Sequence, residues 1–153
     1  MIKAMKKYFL IAIMMAITTL GHAQSTLFKK YENTKGVSIV TISKAMFRMM
    51  PTMKVGNKNL KKIASKIDHL QILSCERQVL NAKINKDAVY IYGKKPWEEV
   101  MSYRENGGNT YIYMRTIGNG KYEYALYTTE KGELQIISIT GDLTLRDIQA
   151  IAK

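Results

Sequence analysis

Three runs of β-branched and aromatic residues near the end of the chain form the clearest hydrophobic pattern in the sequence. They cover residues 110–116, 121–128 and 134–140. Asn119-Gly120 separates the first two runs and Lys131-Gly132 separates the last two, and Asn-Gly is a strong signal for a two-residue hairpin turn. The pattern predicts an antiparallel meander of three strands, followed by a closing helix over 143–152 that Thr144 and Asp147 can cap.

The turn positions also predict how these strands pair. A turn centred on Asn119-Gly120 places Tyr113 opposite Leu126, and the next turn places Leu126 opposite Ile137. Neither face of the resulting sheet is polar, whereas a sheet with one face in water alternates apolar and polar residues. We therefore expect helices to cover both faces, the alternative being a face left open to bind a partner.

The middle of the chain predicts strands and helices in alternation. The predicted elements are a strand over 37–42, a helix over 44–50, a polar loop over 54–59, a helix over 59–68 and a strand over 70–75. The strand over 37–42 is β-branched at most positions, which is typical of a strand buried on both faces. Proline at position 51 ends the preceding helix.

Residues 76–105 are harder to assign. Apolar positions in 76–92 favour a helix in the first part, whereas Val89–Tyr92 resembles a strand. Pro96 suits the first turn of a short helix through Met101, which Asn106-Gly107-Gly108 would end. Taken together, the pattern predicts a single α+β domain with a four- or five-stranded, mainly antiparallel sheet and several short helices.

The first 23 residues have the layout of a cleavable secretory signal peptide. Three lysines precede an apolar run over 9–20, which is shorter than the roughly 20 residues that span a bilayer. Gly21 and Ala23 supply the small residues before a cleavage site at Gln24. We expect a mature domain over 24–153 that is periplasmic or secreted. No Cys stands directly after this run, so we expect no lipid anchor. No second long apolar segment occurs, so we expect no transmembrane span in the mature chain.

Charge adds a possible partner. The chain has 24 Lys and Arg against 12 Asp and Glu, for a formal net charge of +12, and its 46% hydrophobic content is typical of a globular protein. Lys58, Lys62 and Lys66 recur every four residues on the predicted helix, opposite its apolar face. Such a stripe can contact anionic lipid, glycolipid or glycan, although a simply solvated helix face is the plainer interpretation. Export and the absence of nucleic-acid-binding motifs exclude nucleic acid as the expected partner.

Catalytic and cofactor motifs are missing. The sequence has no metal-binding, nucleotide-binding or hydrolase signature, so we expect no cofactor. Cys75 follows an apolar stretch, which predicts a buried side chain, and His69 lies too far along the same predicted strand to serve as its base. Glu98 and Glu99 are adjacent on a predicted helix and so do not form an acid/base pair. A hydrolase would have to bring carboxylates together from distant segments.

Four methionines form a second cluster with two interpretations. They are Met46, Met49, Met50 and Met53. Thioethers are soft ligands that suit Cu(I), but methionine is also an adaptable filler of protein cores. Pro51 interrupts the helix before the last of them, and no local His or Cys supports a metal site. We therefore expect the cluster to pack in the core and not to bind metal.

Several short motifs resemble those of one family. They are Leu27-Phe28-x-x-Tyr31, Val40-x-Ile42-Ser43-x-x-Met46, Glu98-Glu99-x-Met101 and Ile139-x-Gly141-Asp142-Leu143. In this order they resemble the domain-of-unknown-function family numbered 4252, small exported proteins of Gram-negative bacteria. The resemblance implies an exported α+β domain and supplies no catalytic residues. Many members look like lipoproteins, whereas this chain lacks the cysteine after the apolar run to which a lipid would be attached. We therefore expect a non-catalytic binding or interaction module of the envelope or medium, with an anionic envelope component or an envelope protein as its partner, the alternative being a hydrolase.

Overall fold

The computed structural model describes residues 26–49, 54–55, 58–59 and 61–152. The predicted signal peptide and its cleavage site at Gln24 lie outside these residues.

Six strands of the described residues form one fully antiparallel sheet in the order β1-β4-β8-β7-β6-β5. They are β1 Val37–Ser43, β4 Ile67–Cys75, β5 Glu98–Glu105, β6 Gly108–Gly118, β7 Lys121–Glu130 and β8 Glu133–Gly141. Two further short strands, β2 Lys54–Val55 and β3 Lys58–Asn59, pair only with each other. The predicted α+β class is confirmed, but the sheet has more strands than the four or five expected.

Helices cover both faces of this sheet, as the apolar pattern predicts. The helices are α1 Thr26–Tyr31, α2 Lys44–Met49, α3 Lys61–Ala64, α4 Gln78–Tyr92 and α5 Leu145–Ala152. On one face, α1 and α4 pack against the sheet through Phe28 and Ile84, among others. On the other, α2, α3 and α5 contribute side chains such as Phe47 and Ile148. The central strand β7 buries five successive residues, 123–127, because both of its sides face a helical layer.

The predicted meander is confirmed, and one bulge changes its register. Leu126 lies opposite Ile137, as predicted. Tyr113, however, lies opposite Ala125 instead of Leu126, because a register shift between Thr116 and Gly118 leaves an extra residue in β6. A one-residue shift exchanges the faces of a strand. It therefore turns Tyr113, together with Tyr111 on the same side of β6, toward α4.

One prediction in the middle of the chain is wrong at the level of element type. The helix expected after Pro96 is strand β5, and Asn106-Gly107 forms the hairpin turn into β6 with both residues at positive φ. Most of β5 is exposed because it is an edge strand, so its polar sequence lacks a clear alternation. Residues 78–92, by contrast, form one helix, which confirms the helix expected in the first part of this segment. The strand-like end, Val89–Tyr92, belongs to the same helix, with Tyr92 buried and Tyr90 exposed.

The structure of the segment around 59–68 also differs from the predicted helix. Residues 58–59 belong to β3, only residues 61–64 are helical, and β4 begins at Ile67. Tertiary pairing of β4 between β1 and β8 overrides the local helical spacing. Strand β1 was expected to be buried on both faces, but it lies at the sheet edge and Val40 is 48% exposed.

Candidate functional site

A cavity of about 790 Å³ lies where α1, the end of α4, the segment before β5 and strand β6 meet. This volume is within the usual range for small-molecule sites. Its lining residues are Thr26, Lys29, Lys30, Asp87, Tyr90, Ile91, Lys94, Lys95, Pro96, Trp97 and Arg115.

The lining is strongly cationic. It contains four lysines and Arg115 against one carboxylate, Asp87. That carboxylate is already engaged, since Lys30 Nζ donates to it at 2.7 Å and Tyr31 Oη at 2.6 Å. The bond from Lys30 is the main cause of the lowered pKa of Asp87, and desolvation with the nearby carboxylate raises the pKa of Tyr31. The cavity therefore presents a net positive charge at neutral pH.

Aromatic side chains build the floor of the cavity. Trp97 is 8% exposed and meets the ring of Tyr92 edge-on, with 4.8 Å between the centroids. Tyr92 in turn stacks on Tyr113 at 5.3 Å. Tyr113 reaches this stack because the bulge in β6 turns it toward α4. The floor is thus apolar and fixed by packing against the sheet.

An ion pair with the buried carboxylate of Glu123 fixes Arg115 in the lining of the cavity. Its Nε donates to Glu123 Oε2 at 2.6 Å, and Glu123 is 2% exposed. Ser138 Oγ donates to the other carboxylate oxygen at 2.9 Å. The guanidinium also lies 5.0 Å from the ring centroid of Trp97. Since Glu123 balances its charge, Arg115 supports the floor, and the lysines supply the excess positive charge.

The rim of the cavity combines exposed lysines with an exposed aromatic ring. Lys29, Lys30, Lys94 and Lys95 are all exposed. Tyr90 is 69% exposed, and Lys94 Nζ lies 3.9 Å from its ring centroid. Flexible lysines around an apolar floor can contact a negative group while the rest of a ligand remains on the aromatic surface.

The sequence-predicted lysines do not belong to this cavity. Lys66 Nζ donates to Asp147 Oδ2 at 3.0 Å, and Asp147 lies on α5, which packs on the opposite face of the sheet. Lys58 lies in β3 and Lys62 in α3, so the three positions do not share one helix. The side chains of Lys58 and Lys62 lie outside what the structure describes. Their contact with an anionic surface stays a prediction.

The methionine prediction is wrong for the two residues that can be assessed. Met46 is 46% exposed and Met49 is 76% exposed, so neither fills the core. Met50 and Met53 lie outside the described residues. Cys75, by contrast, is 2% exposed, which confirms that it is a buried side chain.

The described residues also bear on metal binding and on membrane insertion. They contain no group of three or more His, Cys, Asp or Glu placed to hold a metal ion. Among their helices, none has the length and apolar character needed to cross a membrane.

Sequence reasoning missed the cavity because four separate segments assemble it. The available signals were the Lys29-Lys30 and Lys94-Lys95 pairs and the single tryptophan that follows the second pair. Nothing in the local pattern indicates that α1 and the end of α4 lie side by side.

The fold and this cavity define a small α+β domain with helices on both faces of an antiparallel sheet and a basic, aromatic-floored site. The chain belongs to the family described as domain of unknown function DUF4252, whose model matches residues 31–151. This confirms the family resemblance.

Comparison with other proteins adds little beyond the family. No curated protein matches the chain. Among solved structures, the chain is similar to that of a protein of unknown function from Pseudomonas aeruginosa, PA94, with 8% sequence identity and a TM-score of 0.36. The match covers 79% of this chain and 78% of the other.

Proposed function

We propose that this protein is an exported, non-catalytic binding module that holds an anionic ligand with an apolar portion in the cavity between α1 and α4. The observation that carries the proposal is the arrangement of four exposed lysines around a floor built on Trp97. Positive charges around a cavity with a low-dielectric wall raise the local concentration of anions. The apolar floor favours a ligand that is not a bare inorganic ion.

The alternative, a hydrolase, is less well supported by the same geometry. A hydrolase that uses two carboxylates needs them to face each other across the substrate. The lining of the cavity contributes one carboxylate, Asp87, which already accepts bonds from Lys30 and Tyr31. A group in that position stabilises the contact between α1 and α4 and has no free role as a nucleophile or base.

The single tryptophan provides a direct test. Because Trp97 is the only tryptophan in the chain and lines the cavity, its fluorescence reports on this site. The probe is 8-anilinonaphthalene-1-sulfonate, which joins a sulfonate to an aromatic body. We expect it to quench Trp97 saturably and with 1:1 stoichiometry. Its uncharged counterpart, N-phenyl-1-naphthylamine, should bind more weakly.

Two double variants make this test specific. Lys94→Gln with Lys95→Gln should weaken binding of the sulfonate probe about tenfold, as expected for loss of charge-assisted contacts. The matched control, Arg48→Gln with Arg146→Gln, removes the same charge from exposed positions on α2 and α5 and should bind like the wild type. Equal weakening in both double variants, or equal affinity for both probes, would contradict the proposal.

Export is the second part of the proposed function. It is supported by the short apolar run over 9–20 behind a positively charged start and by the small residues before Gln24. Intact-mass analysis of protein from the envelope fraction or the medium of a Gram-negative host should give an N-terminus at Gln24. Retention of Met1 would remove this part of the proposal and leave the cavity binding untouched.

A further inference from the structure

The outer flank of α4 extends the positive surface beyond the cavity. Val79, Lys83, Lys86 and Tyr90 follow one another at spacings of three or four residues and therefore share one side of this helix. We call these four residues the α4 stripe. Lys83 is one turn from Asp87, and Tyr90 itself lines the cavity, so the α4 stripe and the cavity rim form one continuous surface.

The composition of this surface is unusual for the outside of a packed helix. Val79 is 87% exposed and Tyr90 69% exposed, whereas the outward face of such a helix is normally polar. Two exposed lysines lie between them, and four more surround the adjoining cavity. Asp87 is the only acidic residue in α1 and α4, and it is bonded to Lys30.

We infer that this surface docks on a lipid bilayer that contains anionic phospholipid. The charge of six lysines complements the phosphates of such a bilayer, and each lysine near an anionic surface strengthens partitioning about fivefold. Exposed Tyr90 is the type of side chain that lies at the level of the headgroups, with its ring in the apolar boundary. The apolar floor of the cavity, open beside Tyr90, can then receive part of one lipid. The inference rests on the proposed function, which supplies an anionic ligand, and it identifies that ligand as a phospholipid of a bilayer.

The test is co-sedimentation of the full chain and its variants with vesicles. One set contains phosphatidylglycerol in phosphatidylcholine and the other contains phosphatidylcholine alone. The readout is the partition coefficient of each variant divided by that of the wild type on the same vesicles, a ratio in which the contribution of the residues before the domain cancels because it is the same in every variant. We expect binding to the anionic set that falls as salt shortens the Debye length.

The variants locate the docking surface. Lys83→Gln with Lys86→Gln should reduce partitioning onto anionic vesicles about 25-fold, since two lysines are lost. Tyr90→Ser should reduce it without changing the charge. The control variant Arg48→Gln with Arg146→Gln removes two charges from the opposite face of the sheet. Its partition coefficient should stay within about twofold of that of the wild type.

Several outcomes would overturn the inference. Equal losses in the two double variants would show that binding follows net charge and not this surface. Partitioning that is the same on both vesicle sets would remove the anionic lipid as the partner. Displacement from vesicles by glycerol 1-phosphate at matched phosphate concentration would indicate a soluble phosphate site instead of a bilayer. Because Lys83 and Lys86 do not line the cavity, their variants should leave quenching of Trp97 by the sulfonate probe unchanged. The inference and the proposed function can thus fail separately.

Discussion

The ion pair between Arg115, which lines the cavity, and the buried Glu123 gives the sharpest quantitative prediction. Glu123 is 2% exposed and accepts bonds from Arg115 Nε at 2.6 Å and from Ser138 Oγ at 2.9 Å. Breaking a buried ion pair by removing one partner costs about 3–5 kcal/mol, mostly because the remaining charge stays buried and unpaired. The side chain of Arg115 is 19% exposed, so water can relieve part of this penalty. We therefore expect Glu123→Leu to lower the free energy of unfolding by about 3 kcal/mol.

A double-mutant cycle separates the ion pair from general packing. Replacing Arg115 as well, in Arg115→Met with Glu123→Leu, removes the unpaired charge and places a flexible apolar side chain beneath Trp97. We expect the double variant to be about 2 kcal/mol more stable than Glu123→Leu alone. The isosteric variant Glu123→Gln keeps an acceptor for Arg115 and should lose about 1–2 kcal/mol.

Urea unfolding measures these changes. Fluorescence of Trp97 and far-ultraviolet circular dichroism should give the same midpoints, and the m-value should not change between variants. The cycle also needs Arg115→Met alone. If the effects of Arg115→Met and Glu123→Leu add in the double variant, with a coupling energy below about 0.5 kcal/mol, the ion pair does not hold Arg115 in place. The cavity floor would then depend on aromatic packing alone.

Two further predictions concern stability elsewhere in the fold. A methyl group at Gly141 would lie 2.1 Å from Lys66 O and 3.1 Å from Ile67 Cα, so Gly141→Ala should lower the free energy of unfolding in urea by about 3 kcal/mol. At Gly108 the added methyl group would lie no closer than 3.3 Å to any atom, the nearest being Glu105 O, so Gly108→Ala should lower the free energy of unfolding much less. Equal losses in the two variants would argue against the close approach of Gly141 to the backbone of Lys66. Asp147 has a lowered pKa, chiefly because the backbone N–H of Thr144 bonds to it, so its contribution to stability is present above its ordinary pKa of 3.8 and is lost as the pH falls through the lower folded value. Urea midpoints between pH 6 and about pH 2 should therefore fall less steeply for Asp147→Asn than for the wild type, and parallel curves would refute this assignment.

The capping of α5 illustrates what local sequence can determine. Thr144 Oγ1 accepts from the backbone N–H of Asp147 at 3.3 Å, and Asp147 accepts from the backbone N–H of Thr144 at 2.9 Å. Both partners lie within four residues, so the motif needs no distant contact. The same holds for the hairpin turns, where Asn119 and Lys131 adopt positive φ, each before a glycine. Local signals of this kind predicted the meander, the closing helix and the α+β class.

Strands β4 and β5 could not be predicted in the same way. Strand β5 is paired on one side and mostly exposed, so its polar residues show neither helical nor strand periodicity. The residues before Ile67 have helical spacing, but the pairing of β4 with both β1 and β8 ends the helix after a few residues. The contacts that stabilise β4 come from strands distant in sequence, whereas β5 pairs with its hairpin neighbour β6 through backbone hydrogen bonds that its own polar side chains do not indicate.

The candidate site shows this dependence most clearly. The sequence alone determined that the chain is basic and that lysine pairs occur at 29–30 and 94–95. Only the tertiary structure decided that these pairs surround one cavity, because α1 packs beside the end of α4. The bulge near Ile117 then shifted β6 by one residue and turned Tyr113 and Arg115 toward that cavity. A single inserted residue exchanges the faces of a strand, and its position depends on how two strands pair, which local residue preferences do not specify.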